Sequence, residues 1–178
     1  NRERVLIYHP DNVVKIETHS KEDFVLEKKD GTWISLSHTD LRVDENSMLT
    51  LLNSCTNMMG NIIIDEGEEK NLEDFGLNDN PDFFAIYLKD GTSFKLLLGN
   101  TNLSGSEFYC MFEGGDKIYS VSGTYLKRLR VTRATITTSR VFNAINDDRI
   151  NTIELKRRGE TKYIIKADFS GDVKGWDL

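Results

Sequence analysis

Phe24-Val25-Leu26-Glu27-Lys28-Lys29-Asp30-Gly31-Thr32-Trp33-Ile34-Ser35-Leu36 reads as two strands joined by a tight turn. Phe24, Leu26 and Lys28 alternate with Val25 and Glu27, which is the period of a half-buried strand. Asp30-Gly31 supplies the pair of residues that tolerate positive φ at both centres of a type I′ turn. The same device returns in Phe84-Ala85-Ile86-Tyr87-Leu88-Lys89-Asp90-Gly91-Thr92, with the Lys-Asp-Gly-Thr tetrad in register. Lys156-Arg157-Arg158-Gly159-Glu160-Thr161 is a looser third version.

Working outward, the chain begins again near its end. Asp11-Asn12-Val13-Val14-Lys15-Ile16-Glu17, then Phe24-Val25-Leu26 and Trp33, is echoed by Asp148-Arg149-Ile150-Asn151-Thr152-Ile153-Glu154, then Tyr163-Ile164-Ile165 and Trp176. Recurrence of strand, turn, strand and tryptophan predicts copies of one β-rich unit. The expected organisation is one repeat-built α+β domain over residues 1–147, with sub-units of about 1–80 and 81–147. Residues 148–178 then start a further copy, packed onto the first. The first copy runs on into a helix whereas the second stops just past its tryptophan, so a longer parent protein is expected.

Between the hairpins, Asp44 is a good N-cap. Met48, Leu51, Leu52, Cys55, Met58 and Met59 recur at three and four, predicting a helix that ends at Gly60 and lies across the sheet. A Met-rich stripe could instead grip a partner, but a sheet face needs cover. Val5–Tyr8 and Val13–Glu17 read as short strands, and Ile62-Ile63-Ile64 as a central one. The acidic run Asp65 to Asp74 carries Leu72 and Phe75 and reads as a short helical turn stopped by Gly76. Strands follow at Phe83–Lys89, Ser93–Leu98, Glu107–Phe112 and Lys117–Val121, then a second helix at Ser122–Leu129. A Thr-rich polar stretch from Thr132 to Ser139 leads to Val141, Phe142 and Ile145. The fold class is α+β: antiparallel, hairpin-rich sheets covered by two main helices, with internally repeated β units.

Composition excludes several functions. With 178 residues, 38% hydrophobic and 29% charged, the chain is globular and long enough for a sizeable core. Its net charge of -6 opposes polyanions, so nucleic acid is not an expected partner. Cys55 and Cys110 lack any Cys-x-x-Cys spacing and read as small buried thiols. Gly99-Asn100-Thr101-Asn102-Leu103-Ser104-Gly105-Ser106 has the wrong glycine spacing and no following Lys for a phosphate loop, so it reads as a hairpin loop. His9, His19 and His38 lie in or beside loops and read as solvent-exposed. Asp65, Glu66, Glu68, Glu69, Glu73 and Asp74 do not follow calcium-loop spacing and read as a solvated face. No catalytic residue, metal site or cofactor is expected.

Two features could carry a partner. Lys127, Arg128, Arg130, Arg133 and Arg140 cluster around the second helix, opposite in sign to the acidic run, and could dock a protein or simply solubilise a helix C-terminus. Phe108, Tyr109, Phe112, Tyr119 and Tyr125 could build an aromatic shelf for sugar or peptide, although alternation sends about half of them into the core. The residues nominated as a partner surface are Lys127, Arg128, Arg130, Arg133, Tyr109 and Tyr119.

The ordered set of Trp33, Asp44 opening a helix, Ile62-Ile63-Ile64, Leu72-Glu73-Asp74-Phe75-Gly76-Leu77 with Pro81, Lys89-Asp90-Gly91-Thr92, Leu96-Leu97-Leu98-Gly99, and Tyr109 before Ile118-Tyr119-Ser120-Val121 resembles the bacterial domain-of-unknown-function family 4340. The likeness covers about residues 11–145, with 148–178 starting another copy; the Asn78-Asp79-Asn80 spacer before Pro81 is slightly longer than the family pattern. The resemblance implies a bacterial protein, membrane-anchored upstream, with its bulk extracytoplasmic and working beside ABC-type export systems, some linked to gliding motility. It implies no catalytic residues. The expected function is a non-enzymatic binding or scaffolding module with transporter components as protein partners, and a homodimer through the terminal hairpin is a further expectation. The alternatives are a carbohydrate- or peptide-binding domain using exposed aromatics, and a hydrolase in which a histidine meets Asp, Glu or Ser.

Overall fold

The computed structural model describes residues 1–137, 152–168 and 175–177, the last five of these as backbone only. Arg140, Val141, Phe142, Ile145 and residues 148–151 of the repeat lie outside them. The chain divides into two compact units, Asn1–Thr138 and Ser139–Leu178.

The first unit holds a nine-stranded sheet, antiparallel at every described pairing. Its strands are β1 (Arg2–Leu6), β2 (Val13–His19), β3 (Phe24–Lys29), β4 (Thr32–Ser35), β5 (Met58–Ile64), β6 (Asp82–Leu88), β7 (Ser93–Thr101), β8 (Glu107–Phe112) and β9 (Ile118–Ser122). The order β1-β5-β9-β8-β7-β6-β2-β3-β4 places the meander β6–β9 in the middle. Strands from the first eighty residues flank it on both sides, so the two halves of the unit share one sheet. The mostly antiparallel α+β class read from the sequence is what the structure has. Ile62-Ile63-Ile64 is a correction: β5 lies next to the edge strand β1, and a bulge between Ile62 and Ile64 leaves Ile63 43% exposed.

The repeated tetrad folds in two ways. Asp30 (φ 51°) and Gly31 (φ 83°) form the expected two-residue turn, with Lys29 opposite Thr32. At Lys89-Asp90-Gly91-Thr92 only Gly91 has positive φ; its N–H donates to Leu88 O at 3.1 Å, and the Leu88 N–H donates to Thr92 O at 2.8 Å. That is a type I turn followed by a left-handed glycine. The Asp90 carboxylate, accepting from Thr92 N at 2.9 Å, favours it over the tighter form.

Helix α1 (Glu45–Cys55) starts where Asp44 accepts from Ser47 N at 2.9 Å. It stops sooner than the apolar stripe suggests, because Asn57 turns left-handed (φ 58°) and sends Met58 and Met59 into β5. Met48, Leu51, Leu52 and Cys55 are buried against Ile16, Phe24, Leu26, Phe84, Ile86, Leu96 and Phe108 of one sheet face. The carbonyls at its end are satisfied by the Tyr8 hydroxyl, which donates to Leu52 O at 2.7 Å, and by Arg128 Nη1, which donates to Ser54 O at 3.3 Å. Helix α2 (Gly123–Leu129) buries Leu126 and Leu129 beside it. A third helix, α3 (Arg133–Ile136), occupies part of the stretch read as polar and irregular. Its Ile136 is buried and the Ile136 carbonyl accepts from Asp44 N at 2.9 Å, so tertiary packing overrides the weak helix propensity of Thr. Three helices, not two, are therefore described.

At the sheet edge, Glu45 Oε1 accepts from Trp33 N at 2.6 Å. In a two-residue hairpin the N–H of Trp33 points away from β3, so the first residue of α1 occupies an edge donor that another strand could use.

The opposite face is covered by a loop. Leu72–Phe75 forms a 3-10 turn, Gly76 closes it left-handed, and Leu77 N donates to Leu72 O at 2.9 Å. Leu77, Met111 and Ile118 are buried there with Leu72, Phe75, Leu97 and Tyr109 around them. Because Leu97 and Met111 alternate with the inward Leu96, Leu98 and Cys110, this is a second, smaller core on the other side of the sheet.

The second unit has β10 (Thr152–Arg157), β11 (Glu160–Asp168) and β12 (Gly175–Asp177) in the order β10-β11-β12. Arg158 (φ 53°) and Gly159 (φ 83°) make its tight turn. Its pairings are Thr152 with Lys166, Ile153 with Ile165, Glu154 with Ile164, Leu155 with Tyr163, and Ala167 with Trp176.

Candidate interaction surface

The basic cluster divides when placed on this scaffold. Arg130 Nε donates to Asp82 Oδ2 at 2.7 Å, tying the end of α2 to the start of β6. Arg133 Nε donates to Glu22 Oε1 at 2.8 Å and its Nη2 to His38 Nδ1 at 3.2 Å, tying α3 to the β2–β3 loop and to the segment after β4. Lys127 and Arg128 point outward from α2. Arg128 borders a shallow groove of about 360 Å³ lined by Asn46, Ser47, Thr50, Leu51 and Ser54 of α1 and Thr135 of α3. The groove surface is mostly apolar, since the hydroxyls of Ser47, Thr50 and Ser54 donate to Asp44 Oδ1, Asn46 O and Leu51 O of their own helix and its cap.

The nominated aromatics sit elsewhere and are used internally. Tyr119 is buried and its hydroxyl donates to Glu3 Oε1 at 2.5 Å; burial first, then that carboxylate, push its pKa well above the ordinary tyrosine value. Tyr109 packs edge-on against Phe75 with ring centroids 5.0 Å apart, inside the second core. Phe108 is fully buried, and Phe112 and Tyr125 pack against the main core. The structure thus brings Lys127, Arg128, Arg130 and Arg133 to the helical face and places Tyr109 and Tyr119 away from it, as supports of the sheet.

His9 is exposed, as read, whereas His19 and His38 are half-buried and bonded within the protein. His19 Nδ1 meets Asp23 Oδ1 at 2.7 Å, Asn80 Nδ2 donates to its Nε2 at 3.3 Å, and its ring stacks on Phe83. His38 Nε2 donates to Asp23 O at 3.0 Å while its Nδ1 accepts from Arg133. Both nitrogens of these two rings are engaged within the protein, so the rings brace the loops around them. Sequence spacing could not show this, since Asn80 and Arg133 are distant along the chain.

Both thiols are buried and free. Desolvation pushes Cys55 up to about 11, and it raises Cys110 further, so neither offers a thiolate at neutral pH. In the acidic run Glu66, Glu68, Glu69, Glu73 and Asp74 are exposed, as read, and Asp65 is paired with a cation. Lys70 pairs with Asp116 of the β8–β9 turn, and Lys117 Nζ lies 3.3 Å from Asp65 and 3.7 Å from Glu3. Among the described residues no three His, Cys, Asp or Glu side chains are grouped to hold a metal ion, and no described helix is long and apolar enough to cross a membrane.

The contact between Phe75-Gly76-Leu77 and Gly99-Asn100 joins residues that carry the family likeness. A Cβ on Gly99 would lie 2.1 Å from Phe75 O, and one on Gly76 would lie 2.5 Å from the Asn100 side chain. The bulge between Leu98 and Thr101 makes room for that approach. A sheet of this order, with a glycine-dependent loop sealing its second face, defines an α+β domain whose distinctive positions are structural. The chain belongs to the family described as Domain of unknown function (DUF4340), which it matches over residues 33–174. No curated protein and no solved structure matches it.

Proposed function

We propose that this chain is a non-enzymatic binding or scaffolding module, built from repeated β units, that engages protein partners through its helical face. The observation that carries this reading is the groove at α1, α2 and α3, where Arg128 stands beside a row of α1 hydroxyls and Lys127 projects nearby. Arg130 and Arg133 are neutralised by Asp82 and Glu22 and hold that face in place, whereas Arg128 reaches a carbonyl, Ser54 O, which leaves its charge uncompensated by any carboxylate among the described residues. Exposed cations at the rim of a largely apolar groove suit an acidic protein surface with an apolar centre, where rim charges steer association and set its salt dependence.

For the wider setting we propose, on the resemblance, a membrane-anchored, extracytoplasmic bacterial protein working with an ABC-type transport system. The test is affinity purification of the full-length protein from solubilised membranes, comparing the native sequence with Lys127→Glu/Arg128→Glu. Recovery of transporter subunits with the native protein, reduced at least tenfold in the variant, supports the reading. Equal recovery with both, or no membrane protein recovered with either, rejects it.

A further inference from the structure

We propose that the outer edge of β10 is a docking site for one added antiparallel strand with apolar side chains at alternate positions, the place that β6 takes beside β2. The inference rests on register and exposure and is independent of the groove on the helical face.

The meanders β2-β3-β4 and β10-β11-β12 are paired alike, residue for residue. Lys15–Glu27, Ile16–Leu26, Glu17–Val25 and Thr18–Phe24 correspond to Thr152–Lys166, Ile153–Ile165, Glu154–Ile164 and Leu155–Tyr163. Trp33 lies opposite Lys28, two residues past Leu26; Trp176 lies opposite Ala167, two residues past Ile165. A one-residue slip would turn every side chain to the other face, so this agreement fixes which face of the second meander is the apolar one. It carries Ile153, Leu155, Tyr163 and Ile165.

Their surroundings differ. Ile16, Phe24 and Leu26 are completely buried and Thr18 is 3% exposed, whereas Leu155 is 57% and Tyr163 60% exposed. In the first unit, β6 pairs along the whole outer edge of β2, setting Ile86 opposite Ile16 and Phe84 opposite Thr18. Among the described residues no strand pairs with the outer edge of β10. Among the described residues the second meander therefore combines a row of backbone donors and acceptors, paired by no strand, with an apolar strip ending at that edge, the two features that strand addition uses. The first unit shows the occupant's chemistry: an extended segment with apolar residues facing Ile153 and Leu155. Leu155 stands where the smaller Thr18 stands, so a residue smaller than Phe84 fits best opposite it.

The test is NMR titration of the isotope-labelled 178-residue chain with a synthetic peptide of residues 82–91 carrying Phe84→Val, extended by two lysines for solubility. Expected are shifts in the amides of 152–157, an Ile86-to-Ile153 cross-strand contact, and no change at 13–19, whose edge β6 already fills. Leu155→Lys is expected to weaken binding about tenfold, a loss of about 1.4 kcal/mol. Ile164→Lys, on the opposite face, is expected to leave it unchanged. The proposal is overturned by shifts confined to β1 or β4, by no shift at millimolar peptide, or by equal effects of the two variants. Sedimentation showing that the chain alone dimerises, with Leu155→Lys restoring a monomer, also overturns it, because a second copy would then be the occupant.

Discussion

Thr18 lies in the main core with its Oγ1 buried and, among the described side chains, without a hydrogen-bond partner. An orphan hydroxyl costs desolvation that no bond returns. Thr18→Val keeps the β-branched shape and is expected to raise unfolding stability by about 1 kcal/mol, read from the urea midpoint at unchanged slope; a lower midpoint would mean that the hydroxyl is bonded after all. Gly99 acts in the opposite sense. With Phe75 O only 2.1 Å from where a Cβ would stand, Gly99→Ala is expected to cost about 3 kcal/mol or to lift the 72–77 turn off the sheet. Denaturation together with the near-ultraviolet signal of Tyr109, which packs on Phe75, distinguishes that outcome from a harmless substitution.

The loop that seals the second face depends on charge. Asp116 is held below the ordinary carboxylate range by its bond from Lys70 and by the Gly67 N–H, and Asp65 by the Glu66 N–H and Lys117. A lowered folded pKa means stability that is present above the unfolded value of about 3.9 and is lost as pH falls through the folded one. Amides of residues 65–77 are therefore expected to exchange faster relative to the main core below about pH 4; uniform behaviour of loop and core would reject this. Elements governed by local chemistry were legible beforehand: the Asp30-Gly31 turn, the Asp44 cap, the glycine-stopped turn at Leu72–Phe75. What depends on contacts distant in sequence was not. Met58 and Met59 continue the helical stripe, and only the left-handed Asn57 moves them to a strand. Alternation predicts that half of the aromatics are internal without saying which, since the cover over Tyr109 comes from a loop remote in sequence. Likewise, Lys127 and Arg128 look like Arg130 and Arg133 until Asp82 and Glu22 arrive beside the latter pair.

The two units differ in how well their apolar faces are covered. Buried Ile16, Phe84 and Leu96 lie in a core roofed by α1, whereas residues 152–166 are exposed or half-buried throughout. Native-state hydrogen exchange is expected to show near-global opening energies for the amides of β2 and β6, and much smaller ones for β10 and β11; equal protection in both would contradict the division. The strand order also bears on biosynthesis. β1 and β5 stand on one side of the sheet and β2 to β4 on the other, and no strand pairing joins them until β6 to β9 have been made. A nascent chain that has not reached Ser122 carries two separated ladders and no continuous sheet. Long-range closure of this kind slows folding, so ribosome-held chains truncated before β9 should be digested by protease, and resistance should appear only once that last central strand has emerged.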